Sequence, residues 1–180
     1  MAAADILKKP EECVMLLVDF QAGLGFGVES IPRQVVINNA VALARTAVAF
    51  KVPVIASTSA SRVYSGPLLP ALQEALPSVK TIERKSMNVW EDDAARRAVV
   101  STNRKRLIIA GFLTEACVSF SALSALKDGF EVSIVADACG GLTAAGHDLA
   151  SQTGASRRST YQLDTGASGV PARLDAPRNI

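Results

Sequence analysis

The fold of this chain is decided by the stretch Leu107-Ile-Ile-Ala-Gly-Phe-Leu-Thr-Glu-Ala-Cys117-Val118. Its apolar start predicts a buried strand that ends at Gly111, and a helix is predicted from Thr114 to Lys127. Cys117 would then lie at the N-terminus of that helix, on the carboxyl edge of a parallel sheet. Positive partial charge at a helix N-terminus favours the thiolate form of cysteine. Because open α/β sheets place their ligand sites at this edge, Cys117 is a candidate nucleophile.

Further apolar runs of strand length alternate with segments of helical spacing. We predict strands over residues 14–18, 52–56, 80–83, 107–110 and 132–136, and helices over residues 32–50, 68–76, 91–101 and 114–127. This alternation indicates parallel strands joined by right-handed crossovers. The expected fold is a three-layer α/β/α Rossmann-like sandwich with a mostly parallel sheet of five or six strands. Residues 1–150 are expected to form one domain, and residues 151–180 an atypical C-terminal tail.

Composition excludes several classes of protein. The 180 residues carry a net charge of +2 without a basic block, so no nucleic-acid partner is expected. The longest apolar runs have the length of strands, and we therefore predict no membrane span. Three cysteines without regular spacing fit the reducing cytoplasm. The single histidine, His147, argues against a histidine-rich metal site, so no metal or other cofactor is expected.

Two charged residues follow other predicted strands at the same edge of the sheet. Asp19 comes directly after the first strand, and the first and fourth strands flank the topological switch point of a doubly wound sheet. Asp19 is therefore a candidate base for the Cys117 thiol, although an ordinary loop carboxylate fits its position equally well. Lys85 follows the third strand, and its charge would reach Asp19 and stabilise a thiolate. A solvated lysine is the simpler interpretation of Lys85.

Three further residues are candidates for the wall of a substrate pocket. They are Phe20, Asn88 and Trp90, and Trp90 fits a core or interface anchor equally well. The glycine-rich segment 23–27 lacks a phosphate-binding motif and is expected to form a mobile loop over the site.

Several segments, in order and with natural spacing between about residues 10 and 148, resemble the isochorismatase-like cysteine hydrolases, most closely their YcaC-like branch. The matching segments are Leu16-Leu-Val-Asp-Phe-Gln21, Pro53-Val-Ile-Ala-Ser-Thr58, Gly66-Pro-Leu-Leu-Pro70, Met87-Asn-Val-Trp-Glu-Asp92 and the stretch around Cys117. Each segment alone is a weak signal, and the ordered set is specific.

The resemblance implies a catalytic Asp–Lys–Cys triad, which maps onto Asp19, Lys85 and Cys117. In such a triad Asp19 takes the thiol proton, Lys85 stabilises the charged pair, and Cys117 attacks an sp² carbon to form a thioester. The family's oxyanion hole implies the backbone N–H groups of Leu113 and Cys117, with the peptide bond between Phe112 and Leu113 in the cis form.

The expected function is a cysteine hydrolase without a metal, acting on a small amide or a related C–N substrate. Nicotinamidases of this superfamily carry an Asp/His metal cluster that one histidine cannot build, and true isochorismatases lack the cysteine. The YcaC-like branch also implies self-association, with an octamer as the expected form. Two alternatives stay open: a catalytically silent oligomeric α/β binding protein that retains the fold, and a redox-sensing thiol protein, for which no resolving cysteine lies near Cys117 in sequence.

The resemblance ends near His147, and residues 155–178 are polar, rich in Gly, Pro and Ser, and without helical spacing. A disordered tail is the simplest interpretation. A sharper hypothesis is a shift of reading frame between about His147 and Gly154. Codons can be chosen for Thr165 to Arg178 whose second frame reads PVLLEFQRDWTRH, which resembles the usual family ending. Such a choice only permits the hypothesis, and the nucleotide sequence of the gene tests it.

Overall fold

The computed structural model describes residues 9–155 and 160–161, which build a parallel sheet with helices on both faces. The strands are β1 (Cys13–Val18), β2 (Val54–Ser59), β3 (Thr81–Arg84), β4 (Arg106–Phe112), β5 (Glu131–Gly140) and β6 (Thr160–Tyr161). Their order is β3-β2-β1-β4-β5-β6, and every neighbouring pair is parallel. The predicted parallel sheet is confirmed, with β1 and β4 adjacent where the strand order reverses.

The described residues include six α-helices, and the longer ones form the two outer layers. The six helices are α1 (Ala22–Gly25), α2 (Arg33–Ala49), α3 (Pro70–Ala75), α4 (Asp93–Val100), α5 (Ser119–Lys127) and α6 (Ala144–Ala155). Helix α2 packs against α3, and α5 packs against α6. From β1 the chain passes through α2 and α3 toward the β3 edge of the sheet, and from β4 it passes through α5 and α6 toward the β6 edge. Since right-handed crossovers in opposite directions lie on opposite faces, these two helix pairs cover the two faces of the sheet. The predicted three-layer sandwich is therefore confirmed.

The central strands explain why their sequences are continuously apolar. Every residue of β1 is buried, and so is every residue of β4 after Arg106. Strands covered by helices on both faces lose the alternation of apolar and polar residues that half-exposed strands show. Gly111 lets the ends of β1 and β4 approach each other, since a Cβ atom at that position would lie 2.3 Å from the carbonyl oxygen of Val18.

Some predicted boundaries differ from those of the structure. Strand β2 continues through Ser59, because β3 supplies hydrogen-bond partners for its buried polar side chains: the Thr58 hydroxyl donates to Glu83 Oε2 at 2.8 Å. The predicted helix from Thr114 to Lys127 is divided into a π-helical turn, Thr114–Val118, and α5. The predicted glycine-rich loop is helical over its first half, in α1.

The described chain also extends past the predicted domain boundary at residue 150. Helix α6 continues to Ala155, and β6 pairs with β5. The remainder of the predicted tail, residues 156–159 and 162–180, and with it most of the segment affected by the proposed frame shift, lies outside the described residues. Within the described part, no helix combines the length and the apolar character that crossing a bilayer requires.

Candidate active site

The end of β1 places Asp19 inside the protein. Asp19 is fully buried, and its backbone N–H donates to the carbonyl oxygen of Ser57 at 2.9 Å. It has a positive φ of 56°, an uncommon conformation for a residue with a side chain. Residues held in such conformations concentrate at functional sites.

The cation that meets Asp19 is Arg84, the last residue of β3. Its two terminal nitrogens donate to Asp19 Oδ1 and Oδ2, both at 2.5 Å, in a bidentate ion pair whose side chains are fully buried. The same nitrogens also donate to the Ser57 hydroxyl and to the carbonyl oxygen of Met87, both at 3.1 Å. Burial lowers the pKa of Arg84, but the hydrogen bonds and charge of Asp19 outweigh it and raise that pKa, so Arg84 stays charged.

The predicted contact between Lys85 and Asp19 is therefore wrong. Lys85 is exposed and follows the end of β3, whereas Arg84 belongs to the strand and points inward. The signal was present in the sequence. Side chains alternate between the faces of a strand, so Arg84 shares the face of the half-buried Ile82, and Lys85 does not.

The strand-to-helix junction positions Cys117. After β4, Leu113 takes a left-handed conformation with φ 58° and ψ 63°, and the π-helical turn that contains Cys117 follows. All peptide bonds of the described residues are trans, so the predicted cis bond between Phe112 and Leu113 is wrong. The chain reverses through the backbone angles of Leu113 instead.

The Cys117 thiol is protonated at neutral pH. Burial raises its pKa to about 12, the negative charge of Asp19 and a hydrogen bond to it act in the same direction, and the charge of Arg84 opposes them. The expected thiolate at a helix N-terminus is thus not the resting state. Burial and a neighbouring carboxylate outweigh the partial charge of a short turn. Such a thiol becomes a nucleophile only if a base takes its proton, and Asp19 lies beside it.

Cys117 and Arg84 line a pocket of about 440 Å³. Lys85 also lies in its wall. The other lining residues belong to α1, to the ends of β2 and β3, and to the segments that follow β2, β3 and β4: Leu24, Ser59, Ala60, Arg62, Val63, Tyr64, Glu83, Ser86, Met87 and Leu113. The π-helical turn Ser61–Ser65 contributes to this wall, and no periodic pattern in the sequence predicts that contribution. The position of the turn depends on its contacts with β3.

The three predicted wall residues lie elsewhere. Phe20 is fully buried and packs edge-on against Phe112, with ring centroids 5.0 Å apart. Trp90 donates through Nε1 to Asp128 at 3.0 Å and packs against Phe130. Asn88 caps the turn Val89–Glu91 and donates to Ser124 at 3.0 Å. None of the three lines the pocket that holds Cys117, so the prediction that they form its wall is corrected.

The other thiols and the histidine lie apart from this chemistry. Burial raises the pKa of Cys139 to about 12, and Cys13 is a buried residue of β1. His147 is a buried residue of α6, where its Nδ1 shares a hydrogen bond with the Thr114 hydroxyl at 2.8 Å. Among residues 9–155 and 160–161, no group of three or more His, Cys, Asp or Glu side chains is arranged to hold a metal ion.

Comparison with known proteins gives a family and close relatives. The isochorismatase domain model matches residues 13–161. The probable hydrolase YcaC of Escherichia coli (strain K12) is 42% identical over 130 residues, which are 72% of this chain and 62% of that protein. The chain thus spans less than two thirds of the length of this relative.

Two solved structures share the fold closely. YcaC from Pseudomonas aeruginosa, solved with hexane-2,5-diol and covalent acrylamide, has a TM-score of 0.81 and 36% sequence identity. The Escherichia coli YcaC structure, described as an octameric hydrolase of unknown specificity, has a TM-score of 0.81 and 37% identity. Each alignment covers 85% of this chain and 76% of the solved chain.

Proposed function

This chain belongs to the isochorismatase domain family, and we propose that it is a cysteine hydrolase that cleaves a small amide or a related C–N substrate without a metal. The observation that carries the proposal is the position of Cys117 in a pocket wall beside the buried pair of Asp19 and Arg84. The triad is then Asp19, Arg84 and Cys117, with Arg84 in the role that the sequence suggested for Lys85.

The reaction begins with a neutral thiol. Asp19 takes the proton of Cys117 as Sγ attacks the carbonyl carbon of the substrate, and a tetrahedral oxyanion forms. The C–N bond breaks, the leaving nitrogen receives the proton from Asp19, and a thioester remains on Cys117. Asp19 then takes a proton from water, whose oxygen attacks the thioester. The carboxylic acid leaves, and the thiol is restored.

Arg84 and the backbone supply electrostatic stabilisation. Arg84 keeps Asp19 oriented through two hydrogen bonds and offsets the charge that develops on sulfur. We assign the oxyanion hole to the N–H groups of Leu113 and Cys117, each contributing about 3 kcal/mol to the lowering of the barrier.

The experiment is a screen of small amides for ammonia or amine release. We expect Cys117→Ala to lower kcat/KM by roughly 10³-fold or more, because no other group replaces the nucleophile. Cys139→Ala is the matched control, since it removes a buried thiol that lies outside the pocket wall. Equal ammonia release by Cys117→Ala and the unaltered protein contradicts the proposal. Absence of release throughout the screen favours the silent binding protein.

Two further proposals concern the assembly and the compartment. Octamer formation is proposed because the Escherichia coli relative is described as octameric and because α5 exposes Phe120 and Leu123 beside Met87. We also propose a cytoplasmic location, which the three free cysteines of the described chain support.

A further inference from the structure

Lys85 has a position that the proposed chemistry does not use. It follows β3 directly, is exposed, and lies in the wall of the pocket that holds Cys117. Arg62, in the π-helical turn Ser61–Ser65, is exposed in the same wall. Within the described residues, neither side chain forms an ion pair.

The carboxylates in this wall and directly behind it are already engaged. Asp19 is paired with Arg84. Glu83 accepts hydrogen bonds from the Thr58 hydroxyl at 2.8 Å, from the Ser61 N–H at 2.9 Å, and from the Ser61 hydroxyl. Desolvation alone would raise the pKa of Glu83, but these hydrogen bonds outweigh it and lower the pKa. The carboxylate of Glu83 therefore ties the turn that carries Arg62 to the strand that precedes Lys85.

The remaining wall is mostly apolar, with Leu24, Val63, Met87 and Leu113 among its residues. Two cations without partners in such a wall favour a ligand that is apolar at its centre and negative at one end. A negative charge close to apolar walls interacts more strongly with a cation than one in open water does.

We propose that Lys85 and Arg62 select anionic substrates, so that the natural substrate is a small amide with a carboxylate or another negative group at its far end. This inference rests on the proposed hydrolase function and names its substrate class. The amide carbonyl lies at Cys117, and the negative end contacts the two cations.

The experiment compares two alkylating reagents of similar size that differ in charge. Iodoacetate is negative and iodoacetamide is neutral. With either reagent an S–C bond forms at the thiol sulfur as the C–I bond breaks, and iodide and the thiol proton are released. The second-order rate of Cys117 alkylation is measured with each reagent by mass spectrometry of the Cys117 peptide. The informative quantity is the ratio of the iodoacetate rate to the iodoacetamide rate.

We expect the double variant Lys85→Gln, Arg62→Gln to lower this ratio by about fivefold, as the loss of two partly solvated charge contacts would give. High salt is expected to lower the ratio of the unaltered protein in the same direction, because ions screen exposed charges. Lys85→Arg, which keeps the charge, is expected to retain the ratio. A double variant that folds and keeps the ratio of the unaltered protein overturns the inference.

Lys80→Gln is the control matched to the single variant Lys85→Gln. Lys80 is exposed and precedes β3, so its loss removes the same charge from the opposite end of the same strand. If the double variant does not fold, the single Lys85→Gln variant and the salt dependence decide. Alkylation needs no turnover, so a failed hydrolase proposal leaves this ratio intact. An unchanged ratio in a protein that releases ammonia overturns only the charge preference.

Discussion

At the scale of the residue, the site depends on two side chains that lie 65 positions apart in sequence. The bidentate pair of Asp19 and Arg84 removes both charges from water, and each is compensated by the other. Such a pair adds little net stability compared with apolar residues, but losing one partner leaves an uncompensated buried charge. In the proposed mechanism its value is chemical, since it holds the carboxylate of Asp19 beside Cys117.

Arg84→Met and Lys85→Met form a sharp comparison at this scale. We expect Arg84→Met to lower the free energy of unfolding by about 3–5 kcal/mol, because Asp19 becomes a buried charge without a partner. Lys85→Met is expected to change it by less than about 0.5 kcal/mol, as is usual for an exposed position. Urea unfolding followed by circular dichroism measures both, and equal losses in the two variants would contradict the assignment of the ion pair.

At the scale of the element, the chain turns out of the sheet in the same way after three of the strands. Residues with positive φ follow the ends of β1, β2 and β4: Asp19 at 56°, Ala60 at 49° and Leu113 at 58°. Each costs about 1–3 kcal/mol when the residue is not glycine, so the surrounding structure must supply that free energy. These sharp exits bring Asp19, the turn with Arg62 and the turn with Cys117 to one edge of the sheet.

The contact between β1 and β4 beneath this edge is tested by Gly111→Ala. The added Cβ would lie 2.3 Å from the backbone oxygen of Val18, which cannot move without displacing Asp19. We expect a loss of about 1–3 kcal/mol in the free energy of unfolding and slower alkylation of Cys117.

Gly27→Ala is the control, because its Cβ would come closest to the end of the Leu142 side chain, at 3.1 Å, and that side chain can rotate. The next atom, the backbone oxygen of Leu24, would lie at an ordinary contact distance of 3.6 Å. Gly27→Ala is expected to cost less than about 1 kcal/mol. If the two substitutions cost the same, the close approach of β1 and β4 at Gly111 does not constrain the site.

At the scale of the whole molecule, the proposed octamer gives a mass that can be measured directly. Sedimentation velocity is expected to show a species of about eight times 18.9 kDa, since exposed apolar surface on α5 is stabilised by burial between copies. The sample must be examined across a range of protein concentrations. A single species of 18.9 kDa throughout that range contradicts the octamer.

The sequence by itself determined the parallel sheet, the position of its switch point and the meeting of Asp19 with Cys117 at one edge. These features follow from the pattern of apolar runs and from the handedness of crossovers, which are properties of short segments. The bounds of β2 and the division of the helix around Cys117 were less predictable. Buried Ser57 and Thr58 are compatible with a strand only because β3 satisfies them.

Only the tertiary structure decided which cation pairs with Asp19 and whether the thiol carries a proton. Arg84 and Lys85 are neighbours with the same charge, and only the face that each presents inside the fold separates their roles. The pKa of Cys117 depends on burial and on a carboxylate 98 positions earlier in the chain, so the local rule for helix N-termini could not give it. Periodic burial is encoded locally, whereas charge and solvation at the site depend on distances between distant segments.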